Sequence, residues 1–231
     1  MRKAPVCLII PPSPFLADER VFPSLGILKV AACLEKAHYP VEVLDLTGIV
    51  NYLDALTEHI RISESQFIGI TCTTPQFPNV EKIIATIKNL RPDIMICLGG
   101  PHITLTCSSY KREKKIGKLG RAQKAFTQFC DIADVIIAGD GEEAILTALE
   151  SKVPQFIDAD NPETSLFLTS QSFSSYPFPS RHLIDIESYK YKIDGLKSTS
   201  LISQLGCPFA CTFCGGRFSP SFRRARLRST D

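Results

Sequence analysis

Five short apolar runs rich in β-branched residues restrict what this chain can fold into: VCLII (6–10), VEVLDL (41–46), FIGIT (67–71), IMICLGG (94–100) and VIIAG (135–139). They read as strands covered on both faces. Between them lie segments with helical spacing. In SLGILKVAACLEKAH (24–38), Leu25, Leu28, Ala31, Ala32 and Leu34 recur at helical intervals, with Pro40 just beyond. NYLDALTEHI (51–60) repeats the pattern with Leu53, Leu56 and Ile60, and NVEKIIATIKNL (79–90) with Val80, Ile83, Ile84, Ile87 and Leu90 before Pro92. GEEAILTALE (141–150) puts acidic residues in its first turn, where the helix dipole favours them. Five strand–helix alternations predict an α/β domain over 1–150 built on a doubly wound, mostly parallel sheet.

From 151 to 198 the alternation stops. The Ser-, Pro- and aromatic-rich segment FLTSQSFSSYPFPSRHLIDIESYK reads as part of a connector over 151–197. STSLISQ (198–204) predicts a new strand that opens a second domain over 198–231. Within the first domain one connection is long and basic: CSSYKREKKIGKLGRAQKAFTQF, with Lys111, Arg112, Lys114, Lys115, Lys118, Arg121 and Lys124. It reads as a solvated loop with a short surface helix, because no aromatics interleave the charges as nucleic-acid binding favours.

A formal net charge of +2 makes no case for a nucleic-acid or acidic-membrane partner. No run of about 18 apolar residues is present, so no membrane span is expected. MRKAPVCLIIPPSP is broken by Pro11 and Pro12 and reads as a first buried strand, not a signal peptide. Without a signal peptide, nine cysteines point to a reducing, cytoplasmic compartment without a disulfide framework. Cys7, Cys33, Cys72, Cys97, Cys107 and Cys130 are scattered, most of them in apolar runs, and read as small buried hydrophobes.

Cys207, Cys211 and Cys214 are different. LGCPFACTFC (205–214) spaces them as C-x₃-C-x₂-C directly after the expected strand. Structural zinc usually takes four ligands, and the nearest histidine, His182, lies in the connector. Three thiolates suit a [4Fe–4S] cluster in which one iron lacks a protein ligand and is open to substrate or cofactor. Zinc with a distant fourth ligand is the alternative.

GCPFACTFC resembles the signature of radical S-adenosylmethionine (SAM) enzymes. The resemblance implies that Cys207, Cys211 and Cys214 each bind one iron and that the fourth iron chelates SAM. An electron from the cluster would then cleave SAM to methionine and a 5′-deoxyadenosyl radical. Phe213 would lie near the adenine, and Gly215-Gly216 would permit close backbone approach. It also implies an electron donor such as flavodoxin or ferredoxin, and a small-molecule or peptide substrate.

Upstream, PSLGILKVAACLEKAHYPVEVLD, IGITCTTPQFPNV, LGGPHIT and AGDGEEAI are similar to the Rossmann-like cobalamin-binding domain of the cobalamin-dependent class. That likeness implies cobalamin at the carboxyl ends of the strands. Thr71, Thr73 and Thr74 would hydrogen-bond a nucleotide tail, Gly99 and Gly100 would leave room for a flat group, and Gly139, Gly141 and Glu142 would sit at the fifth strand's end. The D-x-H-x-x-G motif of cobalamin proteins that ligate cobalt through histidine is missing: PPSPFLADERVFPSLG has no histidine, so any bound cobalamin is expected base-off, as the resemblance to the radical SAM branch implies. Asp18, Glu19 and His102 are further strand-end candidates for lining a pocket.

The function implied is methyl transfer, and the second domain is the start of a partial (β/α) barrel. Arg217, Arg223, Arg224, Arg226 and Arg228 would lead into its first helix, with Ser229-Thr230-Asp231 as the helix start; the alternative is an exposed basic tail. The chain is expected to be the N-terminal part of a longer enzyme, without turnover by itself. Two other readings stand beside this one: a cobalamin- or nucleotide-binding module with a vestigial or zinc cysteine site, and a methylthiotransferase-like radical SAM enzyme without cobalamin.

Overall fold

The computed structural model describes residues 3–150 and 153–229. The elements are β1 (Val6–Ile10), α1 (Leu25–Lys36), β2 (Val41–Asp45), α2 (Tyr52–Ile62), β3 (Phe67–Thr71), α3 (Phe77–Leu90), β4 (Met95–Gly99), α4 (Pro101–Lys115), α5 (Arg121–Ile132), β5 (Val135–Gly139), α6 (Gly141–Glu150) and β6 (Gln155–Ala159). The six strands form one sheet in the order β2-β1-β3-β4-β5-β6. The pairings of β1 with β2 and β3, and of β5 with β4 and β6, are parallel. This is the doubly wound, Rossmann-like α/β fold. Every residue of β1 is buried, as are the first four of β3 and of β5, which is why these runs carry no polar alternation. In α3, Val80, Ile83, Ile84 and Ile87 make the buried stripe, a proline opens the helix, and Pro92 follows its end.

The chain divides into two compact units, Met1–Ile96 with Pro177–Ile202, and Cys97–Tyr176 with Ser203–Asp231. The expected connector is thus shared between them. In the first unit its second half packs back onto α1 and β2. The Ser180 N–H donates to the Leu28 carbonyl at 3.0 Å, and His182 Nε2 lies 2.8 Å from the Glu35 carboxylate. A hairpin of β7 (Lys192–Ile193) and β8 (Leu196–Lys197) follows, turning on Asp194-Gly195, both at positive φ. The strand expected over 198–204 is coil through Ser203; only Gln204–Leu205 is extended and paired. Ser198 closes the hairpin onto Tyr191, and the Arg181 guanidinium holds the Ser200 carbonyl, so this stretch meets no sheet edge.

Asp45, at the end of β2, organises this return. It accepts from Arg20 Nη1 at 2.7 Å, Thr47 Oγ1 at 2.7 Å and the Tyr189 hydroxyl at 2.7 Å. Burial, and then the Asp45 contact, pushes the Tyr189 phenol up to about 12. The folded value exceeds the ordinary value of about 10. Its contribution to stability is therefore complete below about pH 10 and is lost as pH rises toward about 12. Wild type should exceed Tyr189→Phe in urea-midpoint stability at about pH 8, and the gap should shrink steadily above about pH 10. A gap that stays constant across that range would refute this role.

The second unit corrects two expectations. The alternation does not stop at 150, because β6 adds a sixth strand parallel to β5. Its QFIDA sequence is half-exposed at the sheet edge and lacks the continuous apolar run that marks the inner strands. The basic stretch is also more helical than the expected loop with one short surface helix. It forms α4 and α5, with Ile103, Thr104, Cys107 and Ser108 buried on α4 and the cations outside. Lys111 pairs with Asp158 at 2.6 Å. The Glu113 carboxylate accepts the N–H groups of Gly120 at 2.9 Å, Ala122 at 3.2 Å and Gln123 at 3.0 Å, capping α5.

Candidate functional site

In the first unit, the chain reverses direction across the sheet between β1 and β3. Ligands of open α/β sheets bind outside the carboxyl ends of strands at such a switch point. Pro11, Pro12 and Ser13 follow β1 and are buried; Thr71, Cys72, Thr73 and Thr74 end and follow β3. Two residues that sequence reasoning missed fasten these ends together. Gln76 Nε2 donates to the Pro11 carbonyl at 2.7 Å, and Asn79 Nδ2 to the Pro12 carbonyl at 3.2 Å. Thr73 and Gln76 form a capping box, with Thr73 N–H and Oγ1–H both donating to Gln76 Oε1, at 3.0 and 2.7 Å. The T-x-x-Q spacing was the available signal. Because the Thr73 hydroxyl proton is committed to Gln76, the hydroxyl has only acceptor capacity left for a ligand.

The other candidates in this unit serve the loop itself. Asp18 pairs with Lys190 at 2.9 Å, and Glu19 accepts the Ser13 N–H. Phe15 and Leu16, in the loop that lacks a histidine, are 78% and 54% exposed.

In the second unit, Gly99 and Gly100 end β4, and Gly139 ends β5. Thr104, buried on α4, joins the two strand ends by accepting the Gly139 N–H at 2.9 Å and donating to the Gly100 carbonyl at 3.0 Å. A Cβ on Gly99 would meet Ile137 at ordinary contact distance, so a side chain would fit there. Gly100 has φ +98° and opens α4. Gly139, at φ +99°, is different: its Cβ would lie 2.3 Å from the Ala159 backbone. The space its missing side chain leaves is filled by β6, so a ligand could meet only its backbone. Gly141 begins α6, and Glu142 is buried in its first turn. His102 packs edge-on against Phe129 at 5.4 Å, and burial holds its imidazole below the usual range.

The cysteine loop is also in this unit. β9 (Gln204–Leu205) pairs antiparallel with β10 (Arg226–Leu227). Gly206, at φ +72°, leaves the pair where a Cβ would fall 2.1 Å from the Arg224 carbonyl oxygen, so only glycine turns the chain there. The Cys207 N–H then donates to the Phe222 carbonyl at 2.9 Å. Cys211 and Cys214 share a turn, the Cys214 N–H reaching the Cys211 carbonyl at 3.2 Å. The guanidinium of Arg223 holds the Phe209 carbonyl and that of Arg217 the Thr212 carbonyl. Cys207 and Cys211 are exposed, Cys214 is half-buried, and the Phe213 ring is 90% exposed.

The arginine segment is not a loose tail. Arg226 is 3% exposed, pairs with Asp140 and donates to the Leu168 and Ser221 carbonyls. Asp160, 1% exposed, accepts from Ser219 Oγ at 2.6 Å and the Ser221 N–H at 2.8 Å. A four-residue helix, α7 (Pro220–Arg223), lies between these anchors. Ser229 is outside any helix, and Thr230 and Asp231 lie outside the described residues.

Of the six scattered cysteines, five are buried and Cys130 is exposed. Burial pushes the Cys72 and Cys107 thiols up to about 12, which leaves them poor thiolate donors.

The family model of the B12 binding domain matches residues 18–149, more than half of the chain, and the chain belongs to that family. It is 27% identical over 220 residues to the uncharacterized methyltransferase PH0819 of Pyrococcus horikoshii, covering 93% of this chain and 46% of that protein. It is 24% identical over 212 residues to the anaerobic magnesium-protoporphyrin IX monomethyl ester cyclase of Cereibacter sphaeroides, covering 84% and 31%. Among solved structures, the radical SAM methyltransferase TsrM of Kitasatospora setae, with cobalamin and a [4Fe–4S] cluster bound, matches with a TM-score of 0.57 at 15% identity, over 98% of this chain and 44% of that one. The cobalamin-dependent SAM radical enzyme OxsB matches with a TM-score of 0.62 at 16% identity, over 98% and 30%. These structural likenesses are likenesses of fold. The chain spans less than half the length of each of these relatives. No helix among the described residues is long and apolar enough to cross a membrane.

Proposed function

We propose that this chain supplies the cobalamin-binding domain and the cluster loop of a cobalamin-dependent radical SAM enzyme, with methyl transfer as its reaction. The observation that carries the reading is the loop at 207–214: three thiols, none sunk in the core, on a turn fastened at its base by the β9–β10 pair and by the Cys207–Phe222 bond. Its residues fit a [4Fe–4S] cluster. Three thiols suit a cluster in which one iron stays open to a further ligand. Arg217 and Arg223, bonded to carbonyls of the loop, place positive charge where thiolates and an anionic cluster need it.

The strand ends fit cobalamin as well. Thr73 offers acceptors to the corrin's amide N–H groups or to donors of a nucleotide tail. Thr71 and Thr74 flank it in the same unit. The loop after β1 offers no imidazole to cobalt but does offer Phe15 and Leu16. When bound, the cluster supplies the electron that splits SAM into methionine and a 5′-deoxyadenosyl radical, and cobalamin supplies the methyl group. This chain's part is to hold both cofactors and to present Phe213 to the adenine.

Hydroxocobalamin titrated into the folded chain should give a saturable visible-spectrum change and co-elute with the protein at about one per chain. Free elution of the cofactor with an unchanged spectrum would sink the cobalamin reading.

A further inference from the structure

Within the first unit, a second cluster of ligand-type side chains lies at the other end of the strands from the switch point. Cys7 and Glu42 are the second residues of β1 and β2 and face each other in register. His59 reaches them from the last turn of α2. His59 Nε2 lies 3.6 Å from Cys7 Sγ and 3.4 Å from Glu42 Oε2, and all three ligand atoms fall within 4.8 Å of one another.

Both neighbours face the same ring nitrogen. A nucleophilic thiol–imidazole–carboxylate relay needs them on opposite nitrogens, so that one nitrogen takes the thiol proton while the carboxylate orients the other. Convergence of sulfur, nitrogen and oxygen on one point is instead what a cation requires. Zn–S of about 2.3 Å with Zn–N and Zn–O of about 2.0–2.1 Å, at tetrahedral angles, gives S···N near 3.5–3.6 Å and N···O near 3.3–3.4 Å. Both observed separations match. The carboxylate is also held for the task. Ser65 Oγ donates to Glu42 Oε1 at 2.7 Å and Ser63 Oγ donates to the same oxygen, leaving Oε2 turned to the histidine.

We propose that Cys7, His59 and Glu42 form a zinc-type site with three protein ligands and water in the fourth position. One thiolate, one imidazole and one carboxylate suit zinc and not calcium or magnesium, which take oxygen ligands. With zinc the thiolate and carboxylate charges are cancelled. Cys7 is buried, while the His59 and Glu42 side chains keep 22% and 34% of their exposure, which gives the ion a way in and room for the water. The site is independent of the cluster loop and of cobalamin.

Cobalt(II) is the probe, because a thiolate ligand gives it a near-ultraviolet charge-transfer absorption. The chain carrying Cys207→Ala, Cys211→Ala and Cys214→Ala removes the loop thiols from the measurement. In air-free buffer it should bind about one cobalt with that absorption. Adding Cys7→Ala should abolish the absorption, and adding His59→Gln should weaken binding at least about tenfold. Circular dichroism reports whether each variant is folded. Less than about half an equivalent bound, or an absorption unchanged by Cys7→Ala, overturns the proposal. Should Cys7→Ala fail to fold, unchanged affinity in the half-exposed His59→Gln variant overturns it equally.

Discussion

Anaerobic reconstitution with iron and sulfide should load this chain with about four of each, and alanine at Cys207, Cys211 or Cys214 should bring both to background. The expectation rests on where the thiols are. The loop cysteines are exposed or half-buried on a backbone held by Gly206, the Cys207–Phe222 bond and two arginine–carbonyl bonds. Cys7, Cys33, Cys72, Cys97 and Cys107 are enclosed in the core, where a thiolate is costly. With three ligands and one open iron, losing one cysteine leaves two thiolates for four irons, too few to hold the cluster against hydrolysis. Cys130→Ala is the control, since Cys130 is exposed but lies on α5, far from the loop in sequence. Iron and acid-labile sulfide analysis with electron paramagnetic resonance of the reduced protein would settle the matter. Full iron in Cys211→Ala, or a loss in Cys130→Ala equal to that in the loop variants, would refute the assignment.

The sequence made the sheet legible because its inner strands are covered on both faces, and a continuous apolar run is a strong signal. β1, β3 and β5 coincide with the predicted runs for this reason. β6 was missed because an edge strand such as QFIDA keeps polar residues and looks like loop. The α4–α5 pair was read as a loop with one short surface helix because lysines and arginines crowd it. Its buried stripe is small and polar in part, with Thr104 and Ser108 among Ile103 and Cys107, so hydrophobic periodicity fades while the helix persists. At the candidate site the cysteines were visible from spacing alone. The residues that set the geometry were not: Gln76, Asn79, Thr104 and Asp160 each bond to groups far away in sequence, and no local pattern records such a bond. Glycines misled in the other direction. Gly139 stood as a cofactor-binding candidate at a strand end, yet the place of its missing side chain is filled by the chain at Ala159.

Arg226→Ala should be the most destabilising change in the segment after the cysteine loop, by about 3–5 kcal/mol, because it breaks a buried ion pair from one side. The Arg226 side chain keeps only 4% of its exposure and that of Asp140 15%. The guanidinium also donates to the carbonyls of Arg224, Leu168 and Ser221 and lies 5.2 Å from the centre of the Phe167 ring. Alanine takes the guanidinium from the carboxylate and leaves the three carbonyls without this donor. Arg226→Lys keeps the charge but not the planar fork and should fall between the two. Arg226→Met with Asp140→Leu removes both charges and should recover part of the loss, since no uncompensated ion remains. Urea unfolding of the four proteins measures this series. A loss within about 1 kcal/mol for Arg226→Ala would mean that the pair is solvated and contributes only as a surface bridge does. The effect should reach the cofactor, because Arg226 is the β10 residue paired with Leu205, two positions before Cys207. Without that anchor the base of the loop opens, and Arg226→Ala should retain less iron than wild type even where it is still folded.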